Sequence, residues 1–224
     1  MNCCTSTQCK ALDDVFDAKY AESDLKHYRK KGPAKTTRVL LQAIQTLGDV
    51  HGRSLLDIGG GIGAIQLELL KAGLAQSMAV DASAAFIAAA RAEADRRGFG
   101  DRTTYQHGDF VDQADGIAPV DIVTLDRVIC CYPDMHTLVQ RSAECAQRMY
   151  ALVSPRDTWW MHVAQYGLNL LERIQRSAYR FFVHPDADVE AILMARGMTR
   201  CFHQTVGIWQ VNVWRVVYFM QSTA

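Results

Sequence analysis

Apolar positions along the chain follow two spacings, and their alternation predicts the order of helices and strands. From 36 to 47 apolar residues recur at helical spacing and Gly48 follows, so a helix is expected to end there. Short runs rich in β-branched residues predict buried strands. The expected strands are 54–58, 78–80, 102–107, 120–126 and 157–164. The expected helices after them are 64–70, 84–97, 135–152, 168–175 and 186–195.

The last part of the chain carries two further apolar runs, 201–209 and 211–220, with almost nothing between them. Two strands joined so directly pair antiparallel, because a parallel crossover needs about a dozen residues or more. The pattern therefore predicts an α/β fold. A doubly wound, mostly parallel sheet ends in an antiparallel hairpin.

Residues 1–33 are polar and charged and read as a helical lead-in or candidate lid, so we assign the main domain to 34–224. The 24 basic and 24 acidic residues cancel, which argues against nucleic acid or an anionic membrane as partner. An odd set of seven cysteines without a C-x-x-C spacing favours thiols in a reducing, cytoplasmic compartment, with no metal site. The amino terminus shows no apolar signal core.

A glycine-rich turn follows the first strand. Gly59, Gly61 and Gly63 permit a sharp turn and a close approach of backbone to ligand, and Ala64 opens the next helix. The spacing Gly-x-Gly-x-x-Ala also fits the dinucleotide fingerprint, so the loop alone suits NAD and S-adenosylmethionine equally.

Four predicted strand ends carry an acid: Asp57, Asp81, Asp109 and Asp126. Ligands of such sheets bind at the carboxyl ends of the strands, and Asp81 is spaced to accept from both ribose hydroxyls. Asp57, two positions before the first glycine, would repel a pyrophosphate but attract an ammonium group. It therefore favours S-adenosylmethionine as the cofactor.

These residues resemble the class I S-adenosylmethionine-dependent methyltransferases from Thr36 onward. The segment Asp57–Gly63 resembles the first motif of that family, Val80-Asp81-Ala82-Ser83 its ribose-binding second, and Gly108-Asp109-Phe110 its adenine-binding third. The resemblance implies a Rossmann-like sheet of seven strands, the last antiparallel and inserted between the fifth and sixth. An NAD-dependent oxidoreductase and a non-catalytic cofactor-binding protein stay as alternatives.

The acceptor is expected beyond the fourth strand. In many related small-molecule enzymes a histidine precedes the proline turn there, whereas this chain has Cys131 and then Tyr132. Candidate bases are therefore Cys131, Tyr132 and His136. The Asn/Asp-Pro-Pro-aromatic motif of many nucleic-acid and protein amino-group methyltransferases is absent, so we expect a small molecule as acceptor.

Three further features concern the acceptor. By resemblance Tyr28 is a candidate lid residue over the cofactor, and His184, before a late helix, is a candidate substrate contact. Cys3, Cys4 and Cys9 leave open a thiol or metalloid methyltransferase. The sequence motifs specify neither the nucleophilic atom of the acceptor nor the oligomeric state of the protein.

Overall fold

The computed structural model describes the backbone of residues 7–217 and the side chains from residue 10 onward. Within these residues seven strands form one sheet: β1 Ser54–Ile58, β2 Gln76–Asp81, β3 Thr103–His107, β4 Val120–Asp126, β5 Ala146–Pro155, β6 Met198–Val206 and β7 Trp209–Val216. The α-helices are α1 Thr7–Val15, α2 Ala18–Lys31, α3 Lys35–Leu47, α4 Ala64–Lys71, α5 Ala84–Arg96, the short α6 Phe110–Gln113, α7 Met135–Glu144, α8 Trp159–Ile174 and α9 Asp186–Ala195.

The strands are ordered β3-β2-β1-β4-β5-β7-β6. The first five pair in parallel, and β7 runs antiparallel to both β5 and β6. The expected hairpin and the insertion of the last strand are thus confirmed. Because the chain order reverses between β1 and β4, the loops after these two strands diverge and leave a crevice at the carboxyl edge.

Apolar side chains fill both faces of the sheet. Helices α7 and α9 cover one face, where Leu138, Val189 and Leu193 pack on β4 and β5. Helices α3 and α4 cover the other face through residues such as Ile44 and Leu69. The strands between them are hydrophobic on both sides, as parallel strands covered on both faces must be.

The expected helix over 135–152 and strand over 157–164 are both wrong. The helix ends at Glu144, β5 occupies Ala146–Pro155, and residues 159–174 form α8 instead. Residues 149–155 of β5 are all buried, so both faces of the strand are apolar and its sequence lacks the alternation that marks a half-buried strand. The aromatic residues at 159 and 160 suit a strand by propensity, but here they begin a helix.

The lead-in forms α1 and α2, which lie beside the glycine loop. Asp17 caps α2 by accepting from the Tyr20 backbone N–H at 2.8 Å. The fully buried carboxylate of Glu93 on α5 accepts from the guanidinium groups of Arg29, Arg96 and Arg97. Since Arg29 lies on α2, this cluster fastens the lead-in to the main domain.

None of the helices within residues 7–217 has the length and apolar character that a membrane crossing requires.

Candidate active site

A cavity of about 390 Å³ lies at the carboxyl ends of the parallel strands, beneath the lead-in helices. Its floor contains most of the predicted cofactor residues: Gly59, Gly61, Asp81, Ala82, Asp109, Phe110 and Asp126. Asp57 and Gly63 lie behind this wall rather than in it. The topology that brings four strand ends to one edge therefore gathers the acids that are far apart in sequence.

Asp81 holds the glycine loop in place. Its Oδ2 accepts from the Gly61 backbone N–H at 2.9 Å, and its Oδ1 accepts from the Ser83 N–H at 2.8 Å. Burial raises the pKa of this carboxyl, and the two N–H groups partly oppose that shift. Gly59, Gly61 and Gly63 all have positive φ, from 54° to 78°, which side chains rarely tolerate.

Asp57 is fully buried directly under the loop. Its Oδ1 accepts from the Thr124 hydroxyl at 2.6 Å, while Oδ2 finds no hydrogen-bond partner among the described residues. Burial raises the pKa of Asp57 to about 7. A Cβ on Gly60 would lie 2.7 Å from Oδ2, so glycine is required there to make room for the carboxyl. An unpartnered buried carboxyl oxygen suits a cationic ligand group nearby.

Asp109 and Tyr132 form a pair on the β3 side of the cavity. The Tyr132 hydroxyl lies 3.1 Å from each Asp109 oxygen, and Asp109 Oδ1 also accepts from the Val111 N–H. Burial and the adjacent carboxylate raise the pKa of Tyr132 well above its ordinary value. Tyr132 therefore stays protonated and cannot accept a proton near neutral pH.

Asp126 connects the end of β4 to α3 at the cavity mouth. It accepts from Thr37 of α3 at 2.5 Å and from the neighbouring Arg127 guanidinium at 3.0 Å. Arg127 has φ of 62°, a conformation that is rare for residues with a side chain and clusters at functional sites. Asp24 of α2 lines the same mouth, and desolvation there raises its pKa against the opposing charge of Arg127.

The roof of the cavity comes from residues of the lead-in at four-residue spacing: Leu12, Phe16, Tyr20 and Asp24. Phe16 contacts Phe86 edge-on, with ring centroids 5.8 Å apart, and its carbonyl accepts from the Ser83 hydroxyl at 2.6 Å. Phe16 also meets Tyr179 across the cavity, at 6.5 Å between centroids. The lead-in thus closes the site with an aromatic surface.

Cys131 lies where the acceptor is expected, in a 3-10 turn over 129–131 that follows β4 and lines the cavity. Its sulfur is 3.8 Å from the Cys130 sulfur and 3.4 Å from the Tyr179 hydroxyl. Hydrogen bonding from Cys130 is the largest influence and lowers the pKa of the Cys131 thiol. Tyr179 and Arg127 act in the same direction, against desolvation. Among the three candidate bases, Cys131 combines a position in the cavity wall with a pKa lowered from its ordinary value.

The two histidine candidates, His136 and His184, lie outside the cavity wall. His136 is largely exposed on α7 and faces Asp188 at 3.7 Å. His184 approaches the carbonyls of Ile129 and Tyr132 at 2.9 and 3.0 Å, so it holds the turn after β4 in place. Desolvation lowers the pKa of His184, which keeps the ring neutral.

Tyr28 is not where the lid interpretation expected it. It is buried between α2, α4 and α5, and its hydroxyl donates to Glu68 at 2.7 Å beneath the Arg97 guanidinium. The aromatic lid residues that reach the cavity are Phe16 and Tyr20, twelve and eight residues before Tyr28. Their four-residue spacing with Leu12 is the sequence signal that could have identified them.

Two other groups of functional candidates were missed from sequence. Arg127 follows a predicted acid directly but carries no motif, and only its backbone conformation sets it apart. Tyr179 and Phe181 come from the irregular segment after α8, where neither period nor spacing points to the cavity. Asn169 positions that segment by hydrogen bonds to the backbone N–H and carbonyl of Phe181, both 2.8 Å.

The three cysteines on which a thiol or metalloid methyltransferase would depend lie mostly outside the residues that the structure describes. Cys3 and Cys4 precede it, and of Cys9 only its place in α1 is described. Within the side chains that are described, no group of three or more His, Cys, Asp or Glu residues is assembled to hold a metal ion.

Comparison with known proteins supports one family. Residues 55–156, from β1 to the end of β5, match the family model described as a methyltransferase domain. This region contains the glycine loop, the four acids and the turn with Cys131. A search of curated proteins finds no match.

Many solved structures share the fold. One is magnesium protoporphyrin IX methyltransferase (ChlM) from Synechocystis PCC 6803 with bound SAH, at 18% identity and a TM-score of 0.70, covering 93% of this chain and 99% of that one. Another is an O-methyltransferase family 2 protein from Planctomyces limnophilus DSM 3776 in complex with apigenin, at 18% identity and a TM-score of 0.64, covering 95% and 67%.

A third similar structure is assigned to RNA methylation. This protein from Pyrococcus horikoshii is 14% identical with a TM-score of 0.59, and the match covers 84% of this chain and 87% of that chain. At such identities the likeness concerns the fold. The family and the cavity therefore indicate methyl transfer, while similar structures span both small-molecule and RNA acceptors.

Proposed function

We propose that the chain is a class I S-adenosylmethionine-dependent methyltransferase that methylates a small molecule within the cavity under α1 and α2. S-adenosylmethionine, when bound, supplies an electrophilic methyl group on a positively charged sulfur. The single observation that carries the proposal is the meeting of Asp57, Asp81, Asp109 and Asp126 around one glycine-loop cavity.

The cofactor residues divide by chemistry. Asp81 and Ala82 are proposed to hold the ribose, and Asp109 with Phe110 the adenine. Asp126 lines the mouth of the cavity. Gly59, Gly61 and Gly63 allow the backbone of the glycine loop to lie close to the ligand. Asp57 acts from behind the loop, where its unpartnered oxygen favours positive charge in the cavity.

Cys131 is the proposed proton acceptor. Hydrogen bonds from Cys130 and Tyr179 stabilise its thiolate, which can take up the proton that the acceptor loses as it is methylated. Tyr132 and His184 are proposed to position the turn that carries Cys131, because they contact Asp109 and backbone carbonyls respectively. His136 has no role in this proposal.

A small acceptor is supported by the shape and charge of the site. The cavity is roofed by Phe16 and Tyr20 and bounded by Tyr179, which suits an apolar or aromatic molecule. The chain has no net charge to attract a phosphate backbone. Residues 1–33 act in this proposal as a lid on the domain formed by 34–224.

The test uses S-adenosylmethionine with a deuterated methyl group, incubated with the protein and with separated metabolite, RNA and protein fractions. We expect the heavy methyl group in a product of the metabolite fraction, with stoichiometric S-adenosylhomocysteine. The matched control is Asp81→Asn, which should form less of both. Label appearing solely in RNA or protein would overturn the small-molecule proposal.

A further inference from the structure

Helix α8 carries a large exposed apolar face. We define the α8 apolar face as the outward residues Trp159, Trp160, Val163, Tyr166, Leu170, Leu171 and Ile174. Trp159 is 79% exposed, Tyr166 75% and Ile174 70%. At 100° per residue these positions fill one continuous arc of roughly 140°, as on a helix that packs against a partner.

The opposite side of α8 is already in use. Met161 is buried, Gln165 accepts from the Val183 backbone N–H, and Asn169 binds the backbone of Phe181. The helix is therefore fixed in its orientation by the segment that lines the active-site cavity. Its apolar face cannot turn inward without breaking these bonds.

The size of the face matches what a stable dimer needs. Since an exposed aromatic side chain offers about 150–250 Å², the seven residues together expose on the order of 900 Å². The largest apolar patch on a typical monomer is about 300–600 Å², and a standard interface buries about 800 Å² per partner.

Gly167 lies at the middle of the helix and near the centre of the same arc. Nothing lies within 4 Å of the position its Cβ would take. Glycine inside a helix costs about 1 kcal/mol relative to alanine, so its presence is not explained by helix stability. A small residue at the midpoint lets a second helix approach closely, and the positions on either side of it are symmetric.

We propose that two copies of this chain associate through α8, antiparallel, with Gly167 of each helix at the two-fold axis. In this arrangement Val163 of one copy packs on Leu171 of the other, and Trp160 on Ile174. Such an isologous contact is self-complementary and closed.

The dimer would support the active site from behind. Asn169 and Gln165 connect α8 to the wall that contains Tyr179 and Phe181. Pairing of the two helices would fix α8, and through it the acceptor side of each cavity.

Sedimentation equilibrium of the full chain tests the proposal. We expect a wild-type dimer, and Val163→Glu should raise its dissociation constant at least about tenfold, because a carboxylate would be buried against Leu171. Met194→Glu is the matched control, since Met194 is 60% exposed on α9. It should leave the dimer unchanged, and circular dichroism should confirm that both variants fold.

The Gly167→Leu variant distinguishes the proposed close pairing of the two α8 helices from nonspecific hydrophobic association. It adds apolar surface but blocks close approach, so we expect a weaker dimer, whereas indiscriminate association would become stronger. A wild-type monomer at micromolar concentrations, or a Gly167→Leu dimer as tight as wild type, would overturn the proposal. Binding of the monomer to phosphatidylcholine–phosphatidylglycerol vesicles through this face would also overturn it, in favour of a membrane surface.

Discussion

Asp57 combines deep burial, a single hydrogen bond and a carboxyl whose pKa is raised to about 7. A carboxyl so placed costs free energy whenever it ionises without a cation nearby. Gly60 leaves room for the Asp57 carboxyl because glycine has no side chain. The glycine loop is thus shaped as much by the acid under it as by the ligand above it.

The raised pKa predicts a pH dependence of binding. A cationic ligand favours the ionised form of Asp57, so affinity for S-adenosylmethionine should rise as the pH increases through about 7. The Asp57→Asn variant should bind S-adenosylmethionine more weakly than wild type above that pH, and its affinity should not rise as the pH increases through about 7. Calorimetric titrations of both proteins at several pH values provide the measurement, and the difference between them removes the titration of the ligand itself. Identical profiles would show that the carboxyl is structural.

Cys131 and Cys130 are adjacent but differ in chemistry. Hydrogen bonding with Cys131, together with burial, raises the pKa of Cys130, whereas hydrogen bonding from Cys130 lowers the pKa of Cys131. We predict that Cys131→Ser lowers kcat by roughly 10²–10⁴, as for loss of a general base, with little change in S-adenosylmethionine affinity. Cys130→Ser is the control and should retain more activity. Full activity of the Cys131 variant would remove the thiol from the mechanism.

The lead-in helices act as one element fastened at two points. Tyr28 and Arg29 of α2 reach Glu68 and Glu93 of the main domain, while Phe16 and Tyr20 cover the cavity. Anchoring and covering thus belong to different residues of the same segment. The two functions can be separated by substitution.

Tyr28→Phe should weaken folding without affecting the cofactor. Loss of the hydroxyl bond to Glu68 is expected to lower the free energy of unfolding by about 1 kcal/mol, with an unchanged Kd for S-adenosylhomocysteine. Tyr20→Ala should have a smaller effect on the free energy of unfolding but should raise the Kd for S-adenosylhomocysteine about tenfold, because the cavity loses an aromatic side chain from its roof. Denaturant unfolding and calorimetry distinguish the two variants. A large increase in Kd for Tyr28→Phe would restore it as a lid residue.

The contacts of Glu93 with the arginines should make the stability of the protein depend on pH. The adjacent arginines lower the pKa of Glu93 to about 2, so its contribution to stability is complete above the unfolded value of about 4.5 and is lost as the pH falls through about 2. Glu93→Gln should therefore lower Tm at neutral pH, and the difference from wild type should narrow in acid. Thermal unfolding across this range is the measurement. A pH-independent difference would point to packing rather than charge.

The elements could be predicted from sequence wherever amphipathic spacing or a boundary residue is clear. β1, β4 and α9 have the predicted bounds, and α5 begins at the predicted residue, Ala84, with Ser83 as its N-cap. β5 could not be located because it is buried on both sides and lacks alternation. The aromatic residues at the start of α8 led to a wrong strand prediction, because aromatic residues are common in strands and these two lie exposed on a helix.

At the scale of the molecule, the sheet order accounts for the site. Asp57, Asp81, Asp109 and Asp126 could be predicted because parallel topology gathers strand ends at one edge. Phe16, Tyr20, Arg127 and Tyr179 could not, because packing of the lead-in and of the segment after α8 decides which side chains reach the cavity. Motifs therefore predict the residues of the proposed donor side, whereas tertiary contacts decide which residues line the proposed acceptor side.

The central claim is that this cavity binds the methyl donor, and calorimetric titration with S-adenosylhomocysteine tests it most directly. We predict one site per chain for wild type, strongly weakened binding for Asp81→Asn, whose change removes an acceptor from the ribose side, and no heat with NADH. Binding of NADH without binding of S-adenosylhomocysteine would contradict the account.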